Sequence, residues 1–306
     1  MTITEIFTYH SNQYTCGVTK FNSQLAEISG KPLKYFNPDV EKLNSPLVSI
    51  SFKEVSTNDL IKILQQLKKL KYFNLVIHSL NLQDSIELEI IQSAKNVICL
   101  NTEIFSTLLN YRKNLILGWC PAMINKNQSN LVKSQDFTIK NDFIFTFGMS
   151  KKFNESTFIE FINNLDQKNL ELPIYVSAGL HEDSVFDSSF FNQINSLSIA
   201  IPNKVYFLGF LSDEIVSNLL SQCRLCLLFF EKGARENNST LVSAINHNCQ
   251  VVTNFDEHTP KWIKDLPNVY DSKSISIIPS KTVESKSEEK FTWNEFINEF
   301  KEQLFQ

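Results

Sequence analysis

Three groups of residues in this chain have the types and spacing to do chemistry. The first is the stretch 231–240. Arg235 is one of only three arginines in 306 residues, with Arg112 and Arg224. A guanidinium offers a bidentate fork to phosphate or carboxylate. Glu231 and Glu236 stand close enough in sequence to take that fork as an ion pair instead. Asn238, Ser239 and Thr240 fall where a helix should begin. Free N–H groups and partial positive charge at such a terminus suit phosphate oxygens, although Asn238 or Ser239 would also serve as a plain N-cap. The second group is Lys151 and Lys152, which come after a strand and offer charge to an anion or simply form a solvated turn. The third is at strand ends. His10, His78 and Glu231 each close an apolar run, where an imidazole or carboxylate could act as acid, base or hydroxyl contact. A structural histidine or a loop-anchoring carboxylate fits the same positions. His247 and His258 read as surface or loop residues.

Other chemistries find little support. Of six cysteines, Cys99, Cys120, Cys223 and Cys226 sit in or beside apolar runs and read as buried, reduced thiols. Cys223-x2-Cys226 lacks a second ligand pair, so no metal site is expected. There is no Asp-x-Asp pair for a metal-held nucleotide, no Walker loop and no Gly-x-Gly-x-x-Gly. The net charge is −4, with no basic stripe, so nucleic acid is not an expected partner. No secretory leader precedes the first strand, and no apolar run reaches the ~18 residues of a membrane span. The expectation is a soluble, cytoplasmic protein, with peripheral contact to the inner membrane face left open.

Positioning such groups requires a frame, and the apolar pattern describes one. Strand-like runs (4–9, 46–52, 73–77, 96–100, 114–118, then 143–147, 173–177, 205–208, 225–230, 250–253) alternate with helix-like stretches (18–29, 58–70, then 155–165, 212–221, 239–246). This rhythm builds parallel sheets covered by helices on both faces, an α/β class. Two blocks are visible, separated by the polar stretch 125–142. The expected domains are 1–138 and 139–290, with an amphipathic helix over 291–306, carrying Trp293, Phe296, Ile297, Phe300 and Leu304, crossing back to the first. Ligands of open α/β sheets bind outside the carboxyl ends of the strands.

The residues Val205-Tyr206-Phe207-Leu208-Gly209-Phe210-Leu211-Ser212-Asp213-Glu214 resemble the V-x-F-L-G-x-L-S-D-E-E segment of GT-B glycosyltransferases, above all the retaining family 4 enzymes. The next elements come in a similar order: a strand, a Gly-containing loop, then a helix with Ala244-Ile245-Asn246-His247-Asn248 at the family's A-M-A-x-G, and Val251-Val252-Thr253 at its V-V-x-T/S. Gly17-Val18 is similar to the family's G-G-V-A. Phe147-Gly148 lies at its V-G-R, and Phe291-Thr292-Trp293 at its terminal F-S-W. The resemblance implies two Rossmann-like, doubly wound domains facing across a cleft. It implies a nucleotide-sugar donor on the C-terminal domain, with Phe210 and Leu211 at the base, Arg235, the 238–240 helix start and the two lysines at the diphosphate, and Gly17 near donor or acceptor. It places His78 near the transferred sugar and leaves Glu231 to replace a missing carboxylate. The family's paired glutamates fall on Arg235 and Ser243, so the pair is absent. The implied activity is hexosyl transfer, retaining as in the family, to a glycan or glycolipid acceptor in cell-surface polysaccharide synthesis, without cofactor or metal. The alternatives are a non-catalytic binding or scaffolding protein of the same fold, and a nucleotide-sugar epimerase.

Overall fold

The computed structural model describes residues 2–11, 16–37, 43–82, 85–126, 142–149, 154–165, 172–179, 188–202, 204–277 and 291–306. The chain divides into two compact units, Met1–Pro121 with Phe291–Gln306, and Ala122–Lys290.

The first unit runs β1 (Glu5–Thr8), α1 (Gly17–Ser29), β2 (Leu33–Tyr35), β3 (Pro46–Ser51), a 3-10 turn (Phe52–Glu54), α2 (Thr57–Leu67), β4 (Asn74–Ser79), α3 (Ser85–Ser93), β5 (Val97–Cys99), α4 (Thr102–Leu108) and β6 (Ile116–Leu117). Its sheet has the order β2-β1-β3-β4-β5-β6, and all pairs are parallel. Every residue of β3 is buried, as expected of a central strand covered on both faces. The strand order reverses between β1 and β3, so the carboxyl ends of those two strands mark this unit's topological switch point.

The second unit runs β7 (Ile144–Met149), α5 (Glu155–Asn164), β8 (Ile174–Gly179), α6 (Ser188–Ala200), β9 (Val205–Gly209), α7 (Asp213–Gln222), β10 (Leu225–Leu228), α8 (Ser239–Asn246), β11 (Val251–Thr253), α9 (Lys261–Lys264) and β12 (Val269–Asp271). Its sheet order is β12-β11-β10-β7-β8-β9, again parallel throughout. With the strands numbered in chain order from β7 and read from the β9 edge, this is the 3-2-1-4-5-6 pattern of dinucleotide-binding sheets, with its switch point between β7 and β10. The last helix, α10 (Trp293–Phe305), belongs to the first unit.

The α/β architecture with two doubly wound sheets is as the alternation of the sequence implied. Elements β2, α6, α9 and β12 had no signal in it. The units part at Pro121/Ala122 rather than at 138, and there is a local reason. Ser243 Oγ accepts the Met123 and Ile124 N–H groups at 3.2 and 3.3 Å, and Ser217 Oγ donates to Asn125 O at 3.2 Å. Those bonds tie 123–125 to the second unit. Residues 127–141, most of the expected linker, lie outside the described ones.

Helix α8 ends in a way that gives a test. Asn248 has φ +58, the left-handed conformation that usually terminates a helix at glycine. It stands where the family pattern has glycine. Asn248→Gly should leave stability within a few tenths of a kcal/mol, while Asn248→Val should cost about 1–2 kcal/mol, since a β-branched residue strains in that region. Denaturant unfolding of the two variants checks this.

Candidate functional site

At the second switch point, β7 ends in Gly148 and Met149 and the neighbouring β10 leads through a loop into α8. Gly148 has φ +140, and a Cβ built on it would lie 3.5 Å from Thr240 Cγ2. The carboxyl end of β7 and the first turn of α8 are therefore in direct apposition. Helices α2, α4, α5 and α10 are each capped by a side chain of the preceding residue: Ser56, Asn101, Asn154 and Thr292. Helix α8 is not. Its N-cap is Asn238, as the sequence suggested, but no side chain caps the helix. Asn238 turns its Oδ1 to the Arg235 N–H at 2.6 Å. The Ser239 N–H donates to Asn237 O at 3.1 Å, while the Thr240 N–H next to it keeps no capping side chain, and both residues are only partly buried. An uncapped helix start beside a glycine at a switch point is a geometry that receives anions.

The loop between β10 and α8 is held from below by residues after β11. Asn254 pairs with the Phe230 backbone, accepting its N–H at 2.8 Å and donating to its carbonyl at 2.7 Å. Ala234 N–H donates to Asn254 O at 3.0 Å. Gly233 has φ +75, and a Cβ there would meet Asp256 Cγ at 3.0 Å and Asn254 O at 3.2 Å, so only glycine fits the turn. Arg235 departs from its expected role. It is 4% exposed, and its fork grips Asp256, with Nη1–Oδ1 at 2.8 Å and Nη2–Oδ2 at 2.7 Å. Nη1 also donates to Ala234 O. The fork's partner is a residue of the next loop, which no local spacing could reveal. Both of its terminal nitrogens are engaged by Asp256.

Asp256 also accepts from Thr259 Oγ1 and from the His258 N–H. Burial pushes its carboxyl up, but the Arg235 bonds and charge, Thr259 and the His258 amide outweigh this and hold it below the ordinary carboxylate range. A carboxyl depressed in the folded state stabilises above its unfolded value, and loses that contribution as pH falls through its folded value. Asp256→Asn should therefore cost about 2 kcal/mol near neutrality, the scale of charge-assisted bonds. The gap from wild type should close in acid, as measured by unfolding at pH steps across the carboxylate range.

Glu231 is exposed on the loop just past β10. Phe210 is 58% exposed after β9, and Leu211 is half-buried against the core of the second unit. Ser177 Oγ donates to the carbonyl of Gly209 at 3.0 Å and so fixes this strand end. Lys151 and Lys152 lie outside the described residues. In the first unit, Gly17 opens α1, exposed, with nothing within 4 Å of a built Cβ, and α1 too has no capping side chain. His78, near the end of β4, bonds through Nε2 to Ser49 Oγ at 2.9 Å and meets the Phe21 ring edge-on at 4.9 Å. Thus the structure brings Thr240 and Gly148 together with Ser239 and Asn238, and keeps Arg235 beneath them.

His10 is buried. Ser51 N–H donates to its Nε2 at 3.3 Å, which leaves the ring proton on Nδ1, 3.4 Å from Glu54 Oε2. Cys16 completes a trio with ligand atoms within 4.8 Å of one another. With the proton on Nδ1, the trio is arranged as a hydrogen bond rather than as a ready ligand set, because a metal needs that lone pair. His247 corrects the sequence reading. It is 4% exposed, bonded through Nδ1 to Ser243 O and through Nε2 to Ser217 Oγ, both at 2.8 Å. Ser243, at the position of the family's second glutamate, is itself fully engaged with the 123–124 backbone. The cysteines Cys99, Cys120, Cys223, Cys226 and Cys249 are all buried thiols outside any disulfide, and burial pushes the Cys99 thiol up to about 12. Among the described residues no helix is long and apolar enough to cross a membrane.

No protein family and no curated protein sequence matches this chain. Solved structures do. A glycosyltransferase from Rickettsia africae superposes with a TM-score of 0.60 at 9% identity, over 88% of this chain and 84% of that one. HepE from Anabaena, solved with UDP and glucose, gives 0.57 at 12% identity over 82% and 80%. WaaG, a glycosyltransferase of lipopolysaccharide biosynthesis, gives 0.54 at 11% over 87% and 84%. The chain has the two-unit α/β fold of the GT-B glycosyltransferases.

Proposed function

We propose that this protein is a glycosyltransferase that takes a sugar from a nucleotide-sugar donor held on its second unit. The observation that carries the reading is the start of α8. It is an uncapped helix terminus at the switch point of a dinucleotide-ordered sheet, facing a glycine whose missing side chain leaves room. The leaving group of such a transfer is a nucleoside diphosphate, whose charge grows as the glycosidic bond breaks. Fixed N–H dipoles aimed at that charge lower the barrier without reorganising. Thr240 adds a hydroxyl donor, and Lys151 and Lys152 would add charge. Arg235 acts from below, through Asp256 and the Asn238 bond, by holding the loop that presents the helix. Phe210, exposed at the end of β9, is available to stack on the base. Glu231 and His78 remain the candidates for contacts to sugar hydroxyls, and the acceptor, a glycan or glycolipid, would belong to the first unit near Gly17. No metal is needed in this reading. The bound UDP and glucose of HepE make UDP the first nucleotide to try.

A second reading has its own observation. The positions of the family's glutamates carry Arg235 and Ser243, and both are engaged internally. A chain that kept the fold for binding alone would look like this.

Thermal unfolding with UDP, GDP, ADP, CMP and their common sugar conjugates separates the readings. A ligand at about 100 times its dissociation constant should stabilise by about 2.7 kcal/mol. A shift with one nucleotide, followed by slow release of that nucleotide from its sugar conjugate, is the expected result. A shift without turnover on any acceptor favours the binding protein, and no shift at all removes the donor site.

A further inference from the structure

The segment by which the chain enters the second unit is held by a small buried polar cluster whose protons do not balance in one charge state. Its members are Ser217 on α7, Ser243 on α8 and His247 at the end of α8, all at or below 4% exposure. His247 Nδ1 faces the carbonyl of Ser243 at 2.8 Å. A carbonyl only accepts, so Nδ1 carries a proton. His247 Nε2 faces Ser217 Oγ at 2.8 Å, and Ser217 Oγ donates to Asn125 O at 3.2 Å. Ser217 has one hydroxyl proton. If it goes to Asn125 O, Nε2 must donate and the ring is an imidazolium. If the ring is neutral, Ser217 turns its proton to Nε2 and its bond to Asn125 O is lost.

We propose that His247 is a proton-operated latch, which closes on Asn125 through Ser217 when the imidazole is charged and opens when it is neutral. Protonation takes one proton from solvent onto Nε2, and the hydroxyl of Ser217 rotates. No covalent bond changes. The charge acting on the ring is Lys126, on the latched segment itself. The α7 partner is an uncharged hydroxyl and the α8 partner a backbone carbonyl, and the nearby Cys249 thiol is kept neutral by burial. Burial, with Lys126 behind it, pushes His247 below the ordinary imidazole range despite the Ser243 bond. The latch is thus open near neutrality and closes in acid. The bonds from the Met123 and Ile124 N–H groups to Ser243 Oγ do not involve the exchangeable proton.

The test is a pH titration of the labelled protein by NMR. Two resonances are tracked: the imidazole of His247, and the amide of Lys126, whose peptide group contains the Asn125 carbonyl. Wild type should show both moving with one midpoint, below that of the exposed His258. In Ser217→Ala the His247 imidazole should still titrate while the Lys126 amide moves little. If Ser217→Ala fails to fold, Ser217→Cys, near in size and a weak donor, takes its place. His247→Gln should leave Lys126 flat. A Lys126 amide that does not move with His247 overturns the latch, and one whose full response survives the loss of the Ser217 hydroxyl overturns it by showing only a through-space effect of the imidazolium.

Discussion

Deleting residues 291–306 should unfold the first unit and leave the second folded. Helix α10 buries Trp293, Phe296, Phe300, Leu304 and Phe305. At about 1.5–3 kcal/mol for each large apolar side chain, the loss is about 10 kcal/mol, which is comparable to the whole stability of a typical domain. The aromatic contacts are specific. Phe21 of α1 meets Trp293 at 5.1 Å and Phe296 at 5.6 Å between ring centroids, and Trp119 packs edge-on against Phe296 and Phe300. Polar groups that the helix satisfies would also be stranded. Asn74 Nδ2 donates to Leu304 O, Asn96 Nδ2 to Gln303 O, and Ile3 N–H to Phe305 O. Limited proteolysis with mass spectrometry should then find cuts spread through 2–121 and few within the second unit. A milder form is Phe296→Ala, with an expected cost of about 3–5 kcal/mol. A truncated chain whose first unit still melts cooperatively would show that α10 is an accessory rather than part of that core.

This helix is also the element most legible in the sequence, and the reason is physical. Its buried residues recur at helical spacing, and Thr292 with Glu295 forms a capping box that is visible as letters. Central strands are legible for a related reason: β3 and β10 are buried along their whole length, so β10 reads as an unbroken apolar run and β3 as one interrupted only by Ser49 and Ser51. Edge strands break that rule. β2 is half-exposed and carries Lys34, and β12 has only Val269 fully buried. Helix α6 carries more polar than apolar letters over Ser188–Ala200, so its apolar residues do not stand out from their neighbours. At the candidate site, the helix start at 238–240 is legible from its Asn-Ser-Thr run. The bonding partners of those residues are not. Asn238 serves Arg235 instead of its own helix, and Arg235 serves Asp256, a partner from another loop. Such pairings are decided by where β10 and β11 set their loops side by side, a tertiary fact with no periodic trace. The burial of His247 has the same origin: it comes from Ser217 on α7, not from its neighbours in sequence.

Gly148→Val should abolish nucleotide binding, and the effect should be far larger on binding than on folding. At φ +140 the glycine occupies backbone space that L side chains rarely adopt, so the valine costs about 1–3 kcal/mol of strain. Its Cβ would stand 3.5 Å from Thr240 Cγ2, an ordinary contact, so the fold has room for the first carbon. The two further methyls must go into the space before the first turn of α8, where the proposed diphosphate would sit. Loss of at least ~100-fold in affinity is expected, about 2.8 kcal/mol at 1.4 kcal/mol per tenfold. Thr240→Val separates strain from occlusion. It keeps the shape and removes one hydroxyl, so it should weaken binding about tenfold, the scale of a hydrogen bond to a charged group, with little change in Tm. Calorimetric titration of both variants with the nucleotide that stabilises wild type reads the two effects apart. If Gly148→Val folds and binds as wild type does, the helix start is not where the ligand lies. If Thr240→Val alone leaves affinity unchanged, the anion rests on the backbone amides, and the uncapped terminus is sufficient without the hydroxyl.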